Sequence, residues 1–156
     1  MVENYCNLKK IIFLIFLVNI SSFGQNNYPT NYFRSPLDIP LRLAGTFGEL
    51  RNNHFHAGID IKTNRRIGLP VYATADGYIS RIKVAVWGYG KAIYISHPNG
   101  FTTVYAHLNK FGDGIQEYVK NVQYEKKSYE TGNIFLKENQ IKVTKGQIIG
   151  YSGRTG

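Results

Sequence analysis

From Leu41 onward, glycine and proline cut this chain into short runs rich in Val, Ile and Tyr. Short runs of that composition, bounded by turn residues, are the signature of strands. The strand candidates are residues 71–73, 77–84, 91–96, 101–108 and 147–151. Pro98-Asn99-Gly100 supplies a turn between two of them, because glycine tolerates positive φ. One stretch breaks the pattern. Ile115, Tyr118, Val119 and Val122 fall at i, i+3, i+4 and i+7, which predicts a helix over about 115–127 with one apolar face. It lies within an insertion, 112–140, expected to pack beside the sheet. The expected architecture is mainly β: a single antiparallel sheet or sandwich-like domain with a groove and one inserted helix. Repeats and low-complexity segments are absent from the sequence.

The first residues read as an export signal. Lys9 and Lys10 precede the apolar run 11–18, and Ser22-Phe23-Gly24 offers small residues at a cleavage site. The run is shorter than the roughly 20 apolar residues of a membrane span. The expected organisation is a signal peptide at 1–24, an extended lead-in at 25–44 that carries Pro29, Pro36 and Pro40, and a β domain at 45–156. Cys6, the one cysteine, precedes the apolar run, whereas a lipid-bearing cysteine would follow it. A stable membrane anchor is therefore not expected after cleavage, and neither is a disulfide. The expected location is the periplasm, the cell envelope or the medium. A net charge of +9 suits an exported protein drawn to anionic surfaces. The basic residues are scattered and the chain leaves the cytosol, so nucleic acid is not expected as a partner.

The residues that carry chemistry lie in Asn53-His54-Phe55-His56-Ala57-Gly58-Ile59-Asp60-Ile61 and in Tyr105-Ala106-His107-Leu108. Imidazole and carboxylate are ordinary zinc ligands. His56 and Asp60 are four apart, but Gly58 and the alternation of Ile59-Asp60-Ile61 argue against a helix. In a straight strand the two would stand about 13 Å apart, so a shared metal requires a bend, which Gly58 permits. Taken alone, the spacing fits a surface-turn histidine beside a turn aspartate better than it fits a site. In 101–108, alternation puts Val104, Ala106 and Leu108 on the core side and Thr103, Tyr105 and His107 on a polar face that suits a cleft wall. His54 reads as a rim or substrate-side residue. His97, before Pro98, reads as a local hydrogen-bonding residue and not a catalytic one.

His56-Ala57-Gly58-Ile59-Asp60-Ile61, Pro70-Val71-Tyr72-Ala73 with Asp76-Gly77, the strand before Asn99-Gly100, Thr103-Val104-Tyr105-Ala106-His107-Leu108 and Val143-Thr144-Lys145-Gly146-Gln147-Ile148-Ile149-Gly150 together resemble the lysostaphin-type (LytM-like) zinc endopeptidases. The resemblance covers roughly residues 45–156. It implies a mostly antiparallel sheet with a groove, a Zn2+ cofactor, and a metalloendopeptidase that acts on the peptides of peptidoglycan. By the same resemblance His56 and Asp60 are zinc ligands and His107 is an active-site residue; His54 and Tyr105 are candidate substrate-side residues from their positions beside these. The family pattern continues after Gly-x-Thr-Gly with a His-Leu-His motif, which holds the third ligand and a further catalytic histidine. The sequence given stops at Thr155-Gly156. The expectation is a truncated product that is inactive as it stands. The alternative is a non-catalytic, wall-binding or regulatory member of the same fold. A third reading, a lipoyl- or biotinyl-type carrier suggested by Ala75-Asp76-Gly77 and Lys145-Gly146-Gln147, lacks the hairpin lysine in its usual setting and sits badly with an export signal.

Overall fold

The longest strands mark the centre of the domain. In the computed structural model, which describes residues 29–52 and 54–156, β4 (Gly77–Val84) and β5 (Lys91–Ser96) stand where the short runs rich in Val, Ile and Tyr predict. The expected signal peptide lies outside the described residues. The other strands in chain order are β1 (Leu43–Gly45), β2 (Asp60–Ile61), β3 (Pro70–Tyr72), β6 (Thr102–Tyr105), β7 (Leu108–Phe111), β8 (Gly132–Phe135), β9 (Lys142–Val143) and β10 (Ile148–Ser152). They form three antiparallel groups: a β1-β2 ribbon, a β3-β10-β7 sheet, and a sheet ordered β6-β5-β4-β8 in which β9 also pairs with β4.

The core is one cluster shared by the two larger sheets and the helix. Ile79 and Ile82 of β4, Ile93 and Ile95 of β5, Leu108 and Phe111 of β7 and Ile149 of β10 are fully or nearly fully buried in it. Each such side chain removed from water contributes on the order of 2 kcal/mol. Helix α1 (Asp113–Lys126) begins two residues before its predicted start and ends one residue early. Its predicted apolar stripe is the buried one: Ile115 and Val119 enter the core, with Tyr118 and Val122 packed at its edge. Lys127, in the left-handed conformation, ends the helix, and Ser128 N–H donates to Gln123 O.

One expectation is corrected. The single strand expected at 101–108 is broken. His107 has φ 57, a left-handed value, and there the chain leaves the larger sheet at β6 and joins the other sheet as β7. That residue resets the alternation, so the face assignment reverses within β6: Val104 is exposed while Tyr105 is buried. The described residues ahead of the domain pack onto it, and β1 opens at Leu43. Leu37 lies in the core. Pro36 O accepts Tyr72 N–H, Arg34 N–H donates to Thr74 O, and Lys145 Nζ donates to Tyr32 O. Residues 31–156 thus form one unit. Among the described residues no helix is long and apolar enough to cross a membrane.

Candidate metal centre

The β1-β2 ribbon and the loop it encloses bring His56 and Asp60 together. The loop folds back on itself: Gly48 N–H donates to His56 O, His56 N–H to Glu49 O, and Arg51 N–H to His54 O. The chain then bends at Gly58 before Asp60 opens β2. This is the bend the pair requires. His56 Nε2 stands 3.4 Å from Asp60 Oδ1.

That distance has chemical meaning. Two ligands of a tetrahedral zinc, each about 2.0–2.1 Å from the ion, stand about 3.3–3.4 Å apart. His56 Nδ1 lies 2.9 Å from Thr46 O. A carbonyl only accepts, so Nδ1 carries the hydrogen, and Nε2 is the ring nitrogen that faces Asp60. The Thr46 contact is the kind of outer hydrogen bond that orients metal-bound histidines. The donor types and their spacing therefore fit part of a zinc site. Among the described residues no cluster of three or more His, Cys, Asp or Glu completes it.

Arg51 holds the other carboxylate oxygen. Its Nη2 lies 2.8 Å from Asp60 Oδ2 and 3.1 Å from Glu49 Oε2. The hydrogen bond to Asp60 raises the Arg51 pKa above its ordinary value against some desolvation, and Glu49 adds to the effect. Glu49 Oε2 also accepts Thr46 N–H, which ties this pair back to the carbonyl that holds His56. Gly45 is where the ribbon makes room for the ion pair. A Cβ there would stand 2.5 Å from both Arg51 Nη2 and Asp60 Oδ2. Sequence reasoning missed Arg51, Glu49 and Thr46, because no fixed spacing flags residues that act through a ligand.

His107 sits elsewhere, on the link between the two larger sheets. Its backbone N–H donates to Tyr89 O, and the two rings meet edge to face at 6.4 Å. Nδ1 lies 2.6 Å from Thr155 O, so it donates there and leaves Nε2 for chemistry. Thr155 is itself pinned, since its Oγ1 accepts Lys91 N–H and donates to Leu108 O. The fit is close: a Cβ on Gly90 would stand 2.3 Å from Thr155 C. Side-chain contacts thus join His56 to Asp60, while His107 is held by a separate set of partners.

The remaining named residues divide by burial. His54 is exposed, as a rim residue would be. Tyr105, expected on the substrate side, is buried. Its hydroxyl accepts Thr74 N–H at 2.9 Å and lies 2.8 Å from Thr74 Oγ1 and 3.1 Å from Thr103 Oγ1. His97 is buried as a hydrogen-bonding residue, with Nδ1 2.7 Å from Asp76 O and Nε2 2.8 Å from Thr103 Oγ1.

Comparison with known proteins bears on this arrangement. The family model described as Peptidase family M23 matches residues 54–156. The chain is 34% identical over 123 residues to the DD-carboxypeptidase/endopeptidase Mpg of Neisseria meningitidis, covering 76% of this chain and 22% of that protein. It is 30% identical over 129 residues to the peptidoglycan DD-endopeptidase ShyA of Vibrio cholerae, covering 79% and 24%. A Haemophilus influenzae protein named as an uncharacterized metalloprotease is 29% identical over 116 residues, covering 60% and 24%. The chain spans about a quarter or less of the length of these relatives.

Proposed function

The chain belongs to peptidase family M23, and from that premise we propose that it is the peptidase domain of an exported, zinc-dependent endopeptidase that cleaves the peptides of peptidoglycan. The observation that carries the reading is the 3.4 Å approach of His56 Nε2 to Asp60 Oδ1 with Nδ1 committed to Thr46 O. The relatives' names, a peptidoglycan DD-endopeptidase among them, support the substrate class.

In this proposal His56 and Asp60 are two of the protein ligands. Zinc bound there supplies polarisation of a scissile carbonyl and a water acidic enough to give a nucleophile near neutral pH. The protein's own contribution is positional. Thr46 O fixes the His56 ring, and Arg51 fixes the Asp60 carboxylate so that Oδ1 remains for the ion. His107 is the catalytic residue. With Nδ1–H given to Thr155 O, its Nε2 accepts a proton from a water or, when protonated, donates to the developing oxyanion. His54, exposed beside the ligand loop, is placed to meet the peptide.

The test measures two quantities on one protein. Metal content of the full-length product, by elemental analysis after exhaustive dialysis, should be near one zinc per chain. Release of peptide fragments from purified peptidoglycan should stop when a chelator removes that zinc and return when it is restored. Hydrolysis that persists in metal-free protein would overturn the reading.

A further inference from the structure

We propose that the face of the β1-β2 ribbon carrying Arg42, Lys62 and Arg66 is a binding site for a phosphate-type anion borne on a polymer. A cavity of about 190 Å3 opens there, lined by Ile39, Pro40, Arg42, Lys62, Asn64 and Arg66. Three of these six residues are cations and none is an acid. None of the three takes part in an ion pair among the described residues, where Arg34 and Arg51 hold the carboxylate partners and His56 meets Asp60.

The backbone gathers these charges at a cost. Lys62 N–H donates to Arg42 O at 2.8 Å, so the two cations stand opposite each other across the ribbon. Like charges placed so repel. Arg66 is brought round by a tight turn in which its N–H donates to Thr63 O at 3.0 Å. Both inner residues of that turn are left-handed, Asn64 at φ 51 and Arg65 at φ 63. Asparagine accepts such a φ readily and arginine does not. A ligand that neutralises the cluster relieves the repulsion.

Three cations around one cavity suit a tetrahedral oxyanion, which accepts in several directions, better than a planar carboxylate, which one guanidinium can fill. Ile39 and Pro40 complete the wall and exclude water from one side of the bound group. Ile39 and Pro40 are the two apolar residues of the lining, too small a face to insert among lipid chains, so the cavity favours a phosphate group on a soluble polymer. This site is independent of the proposed metal centre and does not rest on it.

The test uses the full chain and titrates inorganic phosphate, poly(glycerol phosphate), polygalacturonate and phosphatidylglycerol vesicles by calorimetry. Poly(glycerol phosphate) should bind tightest, and inorganic phosphate should compete with it. The double variant Lys62→Gln/Arg66→Gln should weaken polymer binding by about tenfold or more, since two of the contacting cations are lost. The control Lys120→Gln/Lys137→Gln removes the same charge from the exposed surface of α1 and from the segment after β8, and should change binding less than twofold. If the double variant melts early, Lys62→Gln alone decides, with a loss of about threefold expected. Equal losses in variant and control, equal binding of polygalacturonate, tighter binding of vesicles at matched phosphate, or no binding by the parent chain would each overturn the proposal.

Discussion

Arg51 binds Asp60 through the carboxylate oxygen that His56 does not approach: Nη2 to Oδ2 is 2.8 Å, while His56 Nε2 faces Oδ1 at 3.4 Å. One carboxylate is thus divided between a permanent cation and a ligand position. Replacing Arg51 by Met keeps much of the side-chain length and removes the charge. Zinc affinity, read by chelator competition, should fall by about 10–100-fold, as with other outer-shell partners. Arg51→Lys should recover part of it, because both carboxylates meet the single nitrogen Nη2, a place that an ammonium on a shorter stem fills incompletely. Unchanged affinity in Arg51→Met would mean the ion pair is incidental.

Gly45→Ala tests the same pair from the other side. The new Cβ meets the ends of two side chains, Arg51 Nη2 and Asp60 Oδ2, each at 2.5 Å. Side-chain ends can swing aside, so the melting temperature should change little while zinc affinity drops. Gly114→Ala, whose Cβ meets nothing within 4 Å and which lies on α1 and not in the ligand loop, is the control and should retain affinity.

Ligand and catalytic roles separate by measuring bound zinc beside hydrolysis in a version extended through the family's His-Leu-His motif. His56→Ala and Asp60→Ala should lose metal and activity together. His107→Ala should keep the metal and lose roughly 100-fold or more in rate. Loss of zinc in His107→Ala equal to that in His56→Ala would make His107 a ligand and reverse the assignment.

Tyr105→Phe should act on stability. The Tyr105 hydroxyl accepts the buried Thr74 N–H, and leaving that donor unsatisfied costs about 1–3 kcal/mol. A lower melting temperature with unchanged kcat/KM is expected. A selective rise in KM would restore Tyr105 to the substrate side.

Export is checked on the mature protein. Lys9, Lys10, the apolar run 11–18 and Ser22-Phe23-Gly24 predict cleavage after Gly24. N-terminal sequencing of protein recovered outside the cytosol should begin at Gln25, and Met1 at its start would refute the leader.

The parts of this molecule that sequence made legible are those with enough residues to show a period. β4 and β5 are runs of eight and six residues rich in Ile, Val and Tyr and bounded by turn residues, and α1 repeats its apolar stripe across about two turns. β1, β8 and β9 went unread, the first and last because two or three residues hold no period, and β8 because Asn133 and the exposed Phe135 obscure it. The break at His107 could not be read either. A left-handed residue usually announces itself as glycine, and here a histidine adopts that φ, held by Tyr89 and Thr155. The ligand pair was visible as residue types but needed the fold to bring it within 3.4 Å. Arg51 was not visible at all, since nothing about a basic residue in a loop says which carboxylate it will meet.

The hold of Thr155 on His107 also bears on the order in which the protein assembles. That hydrogen bond joins residues 48 apart, whereas His56 meets Asp60 across four and Arg51 meets Asp60 across nine. Contacts of short separation form early, and those that close long loops wait for the chain between them to be ordered. Refolding monitored by zinc capture should therefore run ahead of the return of hydrolysis. The His56/Asp60 pair of the proposed site should form first, and His107 should be set when residues 153–156 dock against the starts of β5 and β7.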